Sequence, residues 1–371
     1  MNNIPTHLTQ NVLEVACTIQ AIPAPTFHEG ARADFLFDWL QKAGLADVQR
    51  DPAGNVLARL PGSGTARPIV VSAHIDTVHP MDTVLTVQRA EGRITGPGIG
   101  DNALGAAAVL GLIQWLQSEG AKLPGDLWLA FNTCEEGLGD LRGIQAVVDR
   151  FGAQPAAYLV IEGMGLGTVL HRGLGVERYK ITAQTPGGHS WANYGQPSAV
   201  HELCGIVTRL AALSLPRSPC TTLNVGVISG GTSVNTIACY ASLELDLRSE
   251  DAGALADLVH HVEDIVRAAR RNNVKVSMER IGKRSAGSIP ARHPLVQLAC
   301  GVLKELGLES RLDIASTDAN MPLSRGYPAI CVGITNGNSA HTKDEYILTG
   351  QVGKGLKQLY LLVTRAWSTL E

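Results

Sequence analysis

The sequence lacks the cysteine spacing that would indicate a disulfide framework or a thiolate metal site. Its seven cysteines are scattered, odd in number and never spaced as C-x-x-C. Small secreted folds and structural zinc sites both depend on such spacing, so neither class is expected. A reducing, cytoplasmic location is the prediction that fits this cysteine usage best.

An excess of positive charge and a long apolar run are also missing. The 31 Lys and Arg residues face 34 Asp and Glu residues, for a net charge of -3. No basic surface is therefore predicted to hold a phosphate backbone, and nucleic acid is not an expected partner. There is no uninterrupted run of about 18 uncharged apolar residues, the length that a membrane-spanning helix needs. The first ten residues show no basic segment followed by an apolar core, so neither secretion nor membrane insertion is predicted.

What the chain does have is enough apolar sequence for more than one core. It contains 371 residues, of which 45% are hydrophobic and 18% charged. This length suits one large domain or two ordinary ones, and two are expected. Apolar runs typical of buried strands alternate with stretches of helical spacing, which predicts an α/β fold with a mixed sheet covered by helices on both faces. The predicted strands are 55–60, 69–73, 127–132 and 158–161, and the predicted helices are 8–21, 30–43, 103–117 and 143–151.

The pattern changes near Arg172. From there the order is strand, helix, strand, strand, helix, strand, which is typical of an α+β, ferredoxin-like domain. After Gly287 the α/β pattern returns. The sequence therefore predicts a larger domain, residues 1–173 and 287–371, interrupted by an inserted domain at 174–286.

The string Val70 to Thr77 ends a predicted strand in His74-Ile75-Asp76. Side chains two residues apart on a strand point the same way, so the imidazole and the carboxylate share a face. A histidine oriented by a carboxylate is a pair that zinc sites use. Taken alone, the pair fits equally well a strand end followed by a turn.

Further acids and a histidine follow other predicted strands or precede a helix. They are Asp101, the pair Glu135-Glu136, Glu162 and His341. Each has an ordinary alternative, since Asp101 could cap a helix and the glutamate pair could lie in a solvated loop. Because ligands gather at the carboxyl ends of strands in open α/β sheets, we expect these side chains to converge.

The converging residue types predict a two-metal site. Imidazole with carboxylate oxygen suits Zn²⁺, and a bridging Asp would hold two ions about 3.5 to 4 Å apart. The same ligands also accept Mn²⁺ or Co²⁺. Of two adjacent glutamates only one is expected to face a metal, which leaves the other to act as a general base.

In this order the motifs resemble the co-catalytic zinc exopeptidases and aminoacylases, a family that includes glutamate carboxypeptidase, peptidase T, acetylornithine deacetylase and succinyl-diaminopimelate desuccinylase. The resemblance covers essentially the whole chain. It implies a hydroxide bridging the two zincs as the nucleophile, with Glu135 as the general acid/base and Asp76 as the group that orients His74. The ligand sets it implies are His74, Asp101 and Glu162 for one zinc, and Asp101, Glu136 and His341 for the other.

The resemblance also implies that the inserted domain is a lid and a dimerisation unit. Gly187-Gly188-His189-Ser190 is similar to a family segment whose histidine reaches the active site of the partner subunit and helps to polarise the scissile carbonyl. Asn235 and Arg248 match substrate-contact positions of the family, and Arg284 is a further candidate. The local alternatives are a solvated loop for His189 and an ordinary salt bridge for Arg248. A homodimer is therefore expected.

The function that these expectations describe is a di-zinc hydrolase cleaving an amide bond of a small peptide or an N-acyl amino acid. Glu162 occupies a position where aminopeptidases and dipeptidases of the resembling family usually carry Asp, which favours carboxypeptidase or deacylase work. Ser316-Thr317-Asp318-Ala319 is similar, but not identical, to the family's Gly-Thr-Asp-Ala. Two alternatives remain: a peptidase T-like aminopeptidase acting on tripeptides, and a catalytically silent relative that binds a small ligand.

Overall fold

The computed structural model describes residues 4 and 6–370. The chain divides into two compact units: a larger unit, Met1–Gly173 with Gly287–Glu371, and an inserted unit, Leu174–Ala286. The outer limits predicted for the larger domain, residues 1 and 371, lie outside the described residues. So do residues 1–3 and 5 of the N-terminal segment.

Among the described residues, the first part of the larger unit contains four helices and eight strands. The helices are α1 Thr6–Gln20, α2 Gly30–Lys42, α3 Leu104–Ser118 and α4 Arg142–Phe151. The strands are β1 Ala46–Arg50, β2 Val56–Leu60, β3 Ile69–His74, β4 Gln88–Ala90, β5 Arg93–Thr95, β6 Leu127–Asn132, β7 Ala157–Met164 and β8 Thr168–Gly173. Short helical turns lie at Ile99–Ala103 and Gly137–Gly139.

The inserted unit follows, and the larger unit then resumes. The inserted unit contains β9 Gly175–Gln184, β10 Gly188–His189, α5 Ala199–Ala211, β11 Thr221–Gly230, β12 Thr236–Ile237, β13 Tyr240–Ser249, α6 Ala252–Ala269 and β14 Lys275–Arg284. The larger unit ends with β15 Gly287–Ser288, α7 Pro294–Glu305, β16 Arg311–Ala315, α8 Asn320–Ser324, β17 Ala329–Thr335, β18 Gly337–Asn338, β19 Tyr346–Leu348, a turn at Thr349–Gln351 and α9 Val352–Leu370.

The main sheet of the larger unit is mixed, as the sequence predicts. Its order is β1-β2-β6-β3-β7-β17-β8-β15, with β16 also pairing β8. The central strands β6, β3, β7 and β17 run parallel to one another, whereas β2 is antiparallel to β1 and β6, and β8 is antiparallel to β17 and β15 but parallel to β16. β3 and β17 are buried along their whole length, in agreement with their largely apolar sequence. The carboxyl ends of these parallel strands therefore meet at one edge.

Helix α3 is apolar and buried along most of its length. Among the described residues, the stretch Ile99–Ser118 is long and apolar enough to cross a membrane, yet 89% of its most apolar window is buried inside the protein. A helix that is apolar on all sides and buried on all sides is typical of the core of a large domain. It directly follows the turn Ile99–Ala103, which contacts β7 of the main sheet.

The inserted unit is built on a four-stranded antiparallel sheet in the order β11-β13-β9-β14. Helices α5 and α6 pack on this sheet, and the unit has a hydrophobic core of its own. Tyr179 and Ile181 of β9 and Leu243 and Leu245 of β13 belong to that core. Buried and partly exposed residues alternate along β13, as expected of a sheet with one face packed on helices. This is the ferredoxin-like arrangement predicted from the sequence.

Candidate functional site

The candidate site is built at the carboxyl edge of the central strands. β3 ends at His74, which lies opposite Asn132 of the parallel strand β6. The loop after β6 carries Glu135 and Glu136, and Glu162 lies near the end of β7. Because parallel strands deliver their last residues to the same edge, residues far apart in sequence become neighbours here.

Two overlapping groups of possible metal ligands form at this edge. His74 Nε2 lies 3.0 Å from Asp101 Oδ1 and 3.7 Å from Glu162 Oε2. His341 Nε2 lies 3.0 Å from Asp101 Oδ2 and 3.1 Å from Glu136 Oε1. Within each group the ligand atoms lie within 4.8 Å of one another. The structure therefore brings the five predicted ligand residues together, and the two oxygens of Asp101 face different histidines.

The electrostatics of the site favour positive charge. Hydrogen bonds with Asp101 and Glu136 raise the pKa of His341 to about 10. Burial opposes protonation of His74, but the negative charge of Glu162 and Asp101 outweighs it and raises the pKa well above the ordinary value. Burial also raises the pKa of the Glu162 carboxyl. A cluster of carboxylates that stabilises protons on both imidazoles would equally stabilise divalent cations, so these residues fit metal binding.

Asp76 connects the first histidine to the loop that carries the glutamates. Its carboxylate is fully buried, with Oδ1 3.5 Å from His74 Nδ1. Oδ1 accepts the N–H of Glu135 at 2.9 Å, and Oδ2 accepts the N–H of Glu136 and the hydroxyl of Thr26, both at 2.9 Å. The side chain thus lies behind the imidazole and also fixes the main chain of both glutamates. The sequence alone indicates only the contact with His74.

Other buried polar groups hold the same loop. Glu29 accepts the N–H of Cys134 at 3.1 Å, and Asn55 Oδ1 accepts the N–H of Thr133 at 2.9 Å. Cys134 has a φ of 57°, an uncommon conformation for a residue with a side chain, so the loop depends on these anchors. Burial raises the pKa of its thiol to about 11, which keeps the sulfur protonated and a poor nucleophile. Sequence reasoning missed Glu29 and Asn55, since neither follows a strand end or belongs to a motif.

Behind the site, Asp318 and Asn132 form a buried pair. Asn132 Nδ2 donates to Asp318 Oδ2 at 2.7 Å, and both side chains are fully buried. Burial raises the pKa of Asp318 to about 7. The pair connects the loop Ser316-Thr317-Asp318-Ala319 to the end of β6, beside His74. The loop has Ser316 where the resembling family has Gly, but it keeps the aspartate, Asp318.

In the inserted unit, two of the predicted residues are close together. The N–H of Ser190 donates to the carbonyl of Asn235 at 3.0 Å, and His189 pairs with Thr236 in the short sheet of β10 and β12. His189 is exposed, and its Nδ1 accepts the N–H of Trp191 at 3.2 Å. This hydrogen bond turns one ring nitrogen toward the backbone and orients the ring.

The two predicted arginines flank the same residue of the inserted sheet. Arg248 on β13 and Arg284 on β14 both lie opposite Val176 of β9. Arg248 Nε donates to Asp246 at 2.7 Å, whereas Arg284 is buried. Burial would raise the pKa of Asp246, but hydrogen bonds from its arginine neighbours lower it. Arg248 therefore makes the salt bridge that is the ordinary alternative to substrate binding.

Comparison with known proteins identifies the family. The model of "Peptidase family M20/M25/M40" matches residues 70–365, most of the chain and every predicted metal ligand. The chain belongs to peptidase family M20/M25/M40. This membership confirms the resemblance predicted from the sequence. It also confirms the predicted enzyme class, that of metal-dependent amide hydrolases.

Relatives within the M20 family align along nearly the whole chain. Succinyl-diaminopimelate desuccinylase of Corynebacterium glutamicum is 27% identical over 357 residues, covering 94% of this chain and 93% of that protein. The solved structure of aminopeptidase PepT from Bacillus cereus superposes with a TM-score of 0.80 at 18% identity, covering 96% of this chain and 98% of that one. The YXEP protein of Bacillus subtilis, described as a dinuclear metal-binding M20 peptidase, gives 0.72 at 15% identity, covering 98% and 100%. These structures confirm the predicted fold class.

Proposed function

We propose that this M20 protein is a two-metal hydrolase that cleaves an amide bond of a small peptide or an N-acyl amino acid. The observation that carries the proposal is the position of Asp101. Its two carboxylate oxygens each lie 3.0 Å from a different imidazole, His74 on one side and His341 on the other. A carboxylate shared in this way is what a bridging ligand between two cations requires.

The proposed metals are two zinc ions, with Co²⁺ or Mn²⁺ as possible substitutes. When bound, the ions would polarise the substrate carbonyl and lower the pKa of a water molecule. The B. subtilis relative, described as binding a dinuclear metal centre, supports this proposal. The residues that would hold one ion are His74, Asp101 and Glu162, and those for the other are Asp101, Glu136 and His341.

Glu135 is proposed to move the proton during the reaction. It lies in the loop after β6 and precedes the proposed ligand Glu136 in the sequence. Its side chain is buried, and Asp76 accepts its backbone N–H. A carboxylate held there can accept a proton from water and deliver it to the nitrogen of the leaving amine. Asp76 is proposed to keep the His74 ring in the orientation that turns Nε2 toward Asp101.

The substrate is proposed to be small. A cavity of about 240 Å³ adjoins Glu162, with Met164, Leu170, Ile314 and Val332 in its lining. Ligand pockets commonly measure roughly 300 Å³ or more, so this space suits one amino-acid side chain or a short acyl group. We further propose that Asn235, Arg248 and Arg284 contact the substrate.

A homodimer is proposed, with the inserted unit as lid and dimerisation unit and with His189 acting on the partner's substrate. The two edges of the inserted sheet support this. The edge strand β11 exposes Val227 and Ile228, whereas the opposite edge strand β14 carries exposed charges such as Lys275 and Glu279. Charged residues protect an edge from pairing, so the unprotected β11 is the edge expected to meet a second copy.

The cytoplasm is the proposed location. All seven cysteines are free thiols, and three of them are exposed. Free surface thiols persist in a reducing compartment and oxidise outside it.

A metal assay combined with a small substrate panel tests the proposed function. We expect two divalent cations per chain, and faster hydrolysis of N-acyl amino acids or of dipeptides with a free carboxylate than of tripeptides. The near full-length relative named as a desuccinylase and the glutamate at position 162 favour this order. Hydrolysis confined to tripeptides would establish the aminopeptidase alternative. A protein that binds ligands but hydrolyses no member of the panel would be the catalytically silent relative.

A further inference from the structure

A buried carboxylate that sequence reasoning assigned no role holds the turn that carries Asp101. Glu345 is fully buried in the larger unit. Its Oε1 accepts the N–H of Gly100 at 2.7 Å and of Asp101 at 2.8 Å, and its Oε2 accepts the N–H of Gly98 at 3.0 Å. Both carboxylate oxygens of Glu345 thus accept hydrogen bonds from the main chain of a single turn.

This contact is energetically important because burial of a charged group is costly. A carboxylate removed from water is stable only where hydrogen bonds replace its hydration, and here three backbone N–H groups do so. Backbone N–H groups that converge in this way form an anion-binding concavity. Removal of the carboxylate would leave the three donors buried without an acceptor, so the turn would have to rearrange.

The turn itself is shaped for close contact. Gly98 has a φ of 72°, which favours glycine, and a Cβ on Gly100 would lie 2.7 Å from the side chain of Met164. The main chain therefore approaches both Glu345 and the end of β7 closely. Small movements of this turn would move the Asp101 carboxylate relative to His74, because Asp101 lies within it.

Glu345 also connects the turn to the segment that carries the second histidine. It follows His341 closely in sequence, and its own carbonyl accepts the N–H of Gly96 at 2.8 Å. The next residue, Tyr346, pairs with Thr95 in the small sheet of β5 and β19. One short segment thus carries His341 and, through Glu345, holds the turn of Asp101.

We propose that Glu345 is a positioning residue: it fixes the turn of Asp101 so that the two carboxylate oxygens face His74 and His341 before any cation binds. The inference rests on the proposed two-metal function. Glu345 acts through the backbone, and its oxygens contact amide groups instead of the proposed ligand atoms. Because Asp101 belongs to both ligand groups, loss of Glu345 should weaken both metal sites together.

The test is a titration of metal-free protein with Co²⁺, followed by its visible absorption spectrum. For Glu345→Gln we expect both cobalt dissociation constants to rise roughly 10- to 100-fold, the usual effect of removing a group that supports metal ligands. The ligand-field bands should also change. The matched control is Asp126→Asn, since Asp126 also accepts a backbone N–H, from Gly62 at 2.9 Å, at the opposite end of β6. That variant should bind cobalt as the wild type does.

Each outcome has a separate meaning. Wild-type cobalt affinity and spectrum in Glu345→Gln would overturn the positioning role and leave the proposed function intact, whereas failure of the wild type to bind cobalt would overturn the proposed function. If Glu345→Gln does not fold, the positioning role is tested instead by measuring amide hydrogen exchange of residues 96–103 in the metal-free wild type. Slow exchange without cations supports positioning by Glu345. Fast exchange that becomes slow only after Co²⁺ is added contradicts it.

Discussion

At the residue scale, Asp76 shows how one carboxylate can serve two loops at once. It lies 3.5 Å from the inner nitrogen of His74 and accepts the backbone N–H groups of Glu135 and Glu136. A metal-binding histidine is usually supported in this way, but the added hold on the glutamate loop is specific to the local geometry. The proposed proton carrier and a proposed ligand of each cation therefore depend on a single side chain.

Asp76→Asn is expected to impair both activity and metal binding. The amide places an NH₂ group where a backbone N–H now donates, so one of the two glutamates loses its acceptor and moves. We predict a loss of roughly 10- to 100-fold in cobalt affinity and in kcat. The control is Asp251→Asn. Asp251 also accepts a backbone N–H, that of Ala254 at the start of α6, so the same chemical change is made at a residue outside the proposed metal-ligand groups. Equal losses in both variants would contradict a role specific to Asp76.

Glu135→Gln is expected to remove turnover and to spare metal binding. The amide cannot carry a proton between water and the leaving nitrogen, and general acid-base groups typically contribute 10²- to 10⁴-fold. We predict that kcat falls by about 10²- to 10⁴-fold. Elemental analysis should still find two cations bound per chain. Full activity in this variant would refute the assigned role. Loss of a cation would instead make Glu135 a ligand.

The convergence of the five proposed ligand residues could be predicted from the sequence because each of them follows or flanks a recognisable apolar segment. Glu345 could not be assigned a role in the same way. It closes the run Lys343-Asp344-Glu345, and such a run is usually a solvated surface. It directly precedes β19, which pairs with β5, and no local pattern predicts the pairing of these two strands of only three residues each.

At the element scale, the two edges of the inserted sheet differ in their protection. β11 exposes 51% of Val227 and 56% of Ile228. β14 carries charged residues on its exposed positions. Large apolar groups that remain exposed on one edge are the usual sign of a surface that another chain covers.

Ile228→Lys is expected to convert a dimer into monomers. A charge on the β11 edge must be desolvated if a second copy pairs there, which opposes association. Sedimentation measures the change, and Glu279→Lys on the β14 edge is the matched control that should stay dimeric. Activity should fall with dissociation, because His189 is proposed to act in the partner. Fully active monomers would exclude that role.

The strands with unbroken apolar sequence could be predicted, and those at the margin could not. β3 and β17 are buried throughout and read as strands without the structure. β1, β8 and β16 are less apolar, and β16 reads Arg-Leu-Asp-Ile-Ala. Their strand conformation is set by pairing with neighbours in the sheet, a contact between distant residues that local periodicity does not contain.

At the scale of the whole molecule, each unit has its own core. The core of the larger unit gathers side chains from α1 to α9 outside the insertion, and that of the inserted unit uses β9, β13, α5 and α6. Gly173 and Gly287, the residues that flank the insertion, are partners in the pairing of β8 with β15. The insertion therefore leaves and re-enters the larger unit at neighbouring points.

We predict that the segment Leu174–Ala286 folds when expressed alone. Its core does not require side chains of the larger unit, and a domain of this size is typically stable by itself. Urea unfolding followed by circular dichroism should give a single cooperative transition. In the isolated segment, Leu243→Ala should lower the free energy of unfolding by about 2 to 5 kcal/mol. A non-cooperative response would show that the segment depends on the larger unit.

Chelation is expected to abolish activity and leave the fold intact. The proposed ligands occupy one edge of the sheet, whereas the hydrophobic core extends through the whole larger unit. Circular dichroism should therefore change little when cations are removed, and Zn²⁺, Co²⁺ or Mn²⁺ should restore hydrolysis. Collapse of secondary structure on chelation would mean that the metals are structural.

The position of β17 has a consequence for how the chain is made. β17 lies between β7 and β8, so the main sheet has a gap at its centre until residues 329–335 have been synthesised. By then the ribosome has already released the entire inserted segment, whose strands pair only with one another. The segment made in the middle can therefore fold first, and the unit that contains the N-terminus is completed last. During that interval the edges of β7 and β8 that later pair with β17 keep their backbone N–H and C=O groups open to chaperones or to aggregation.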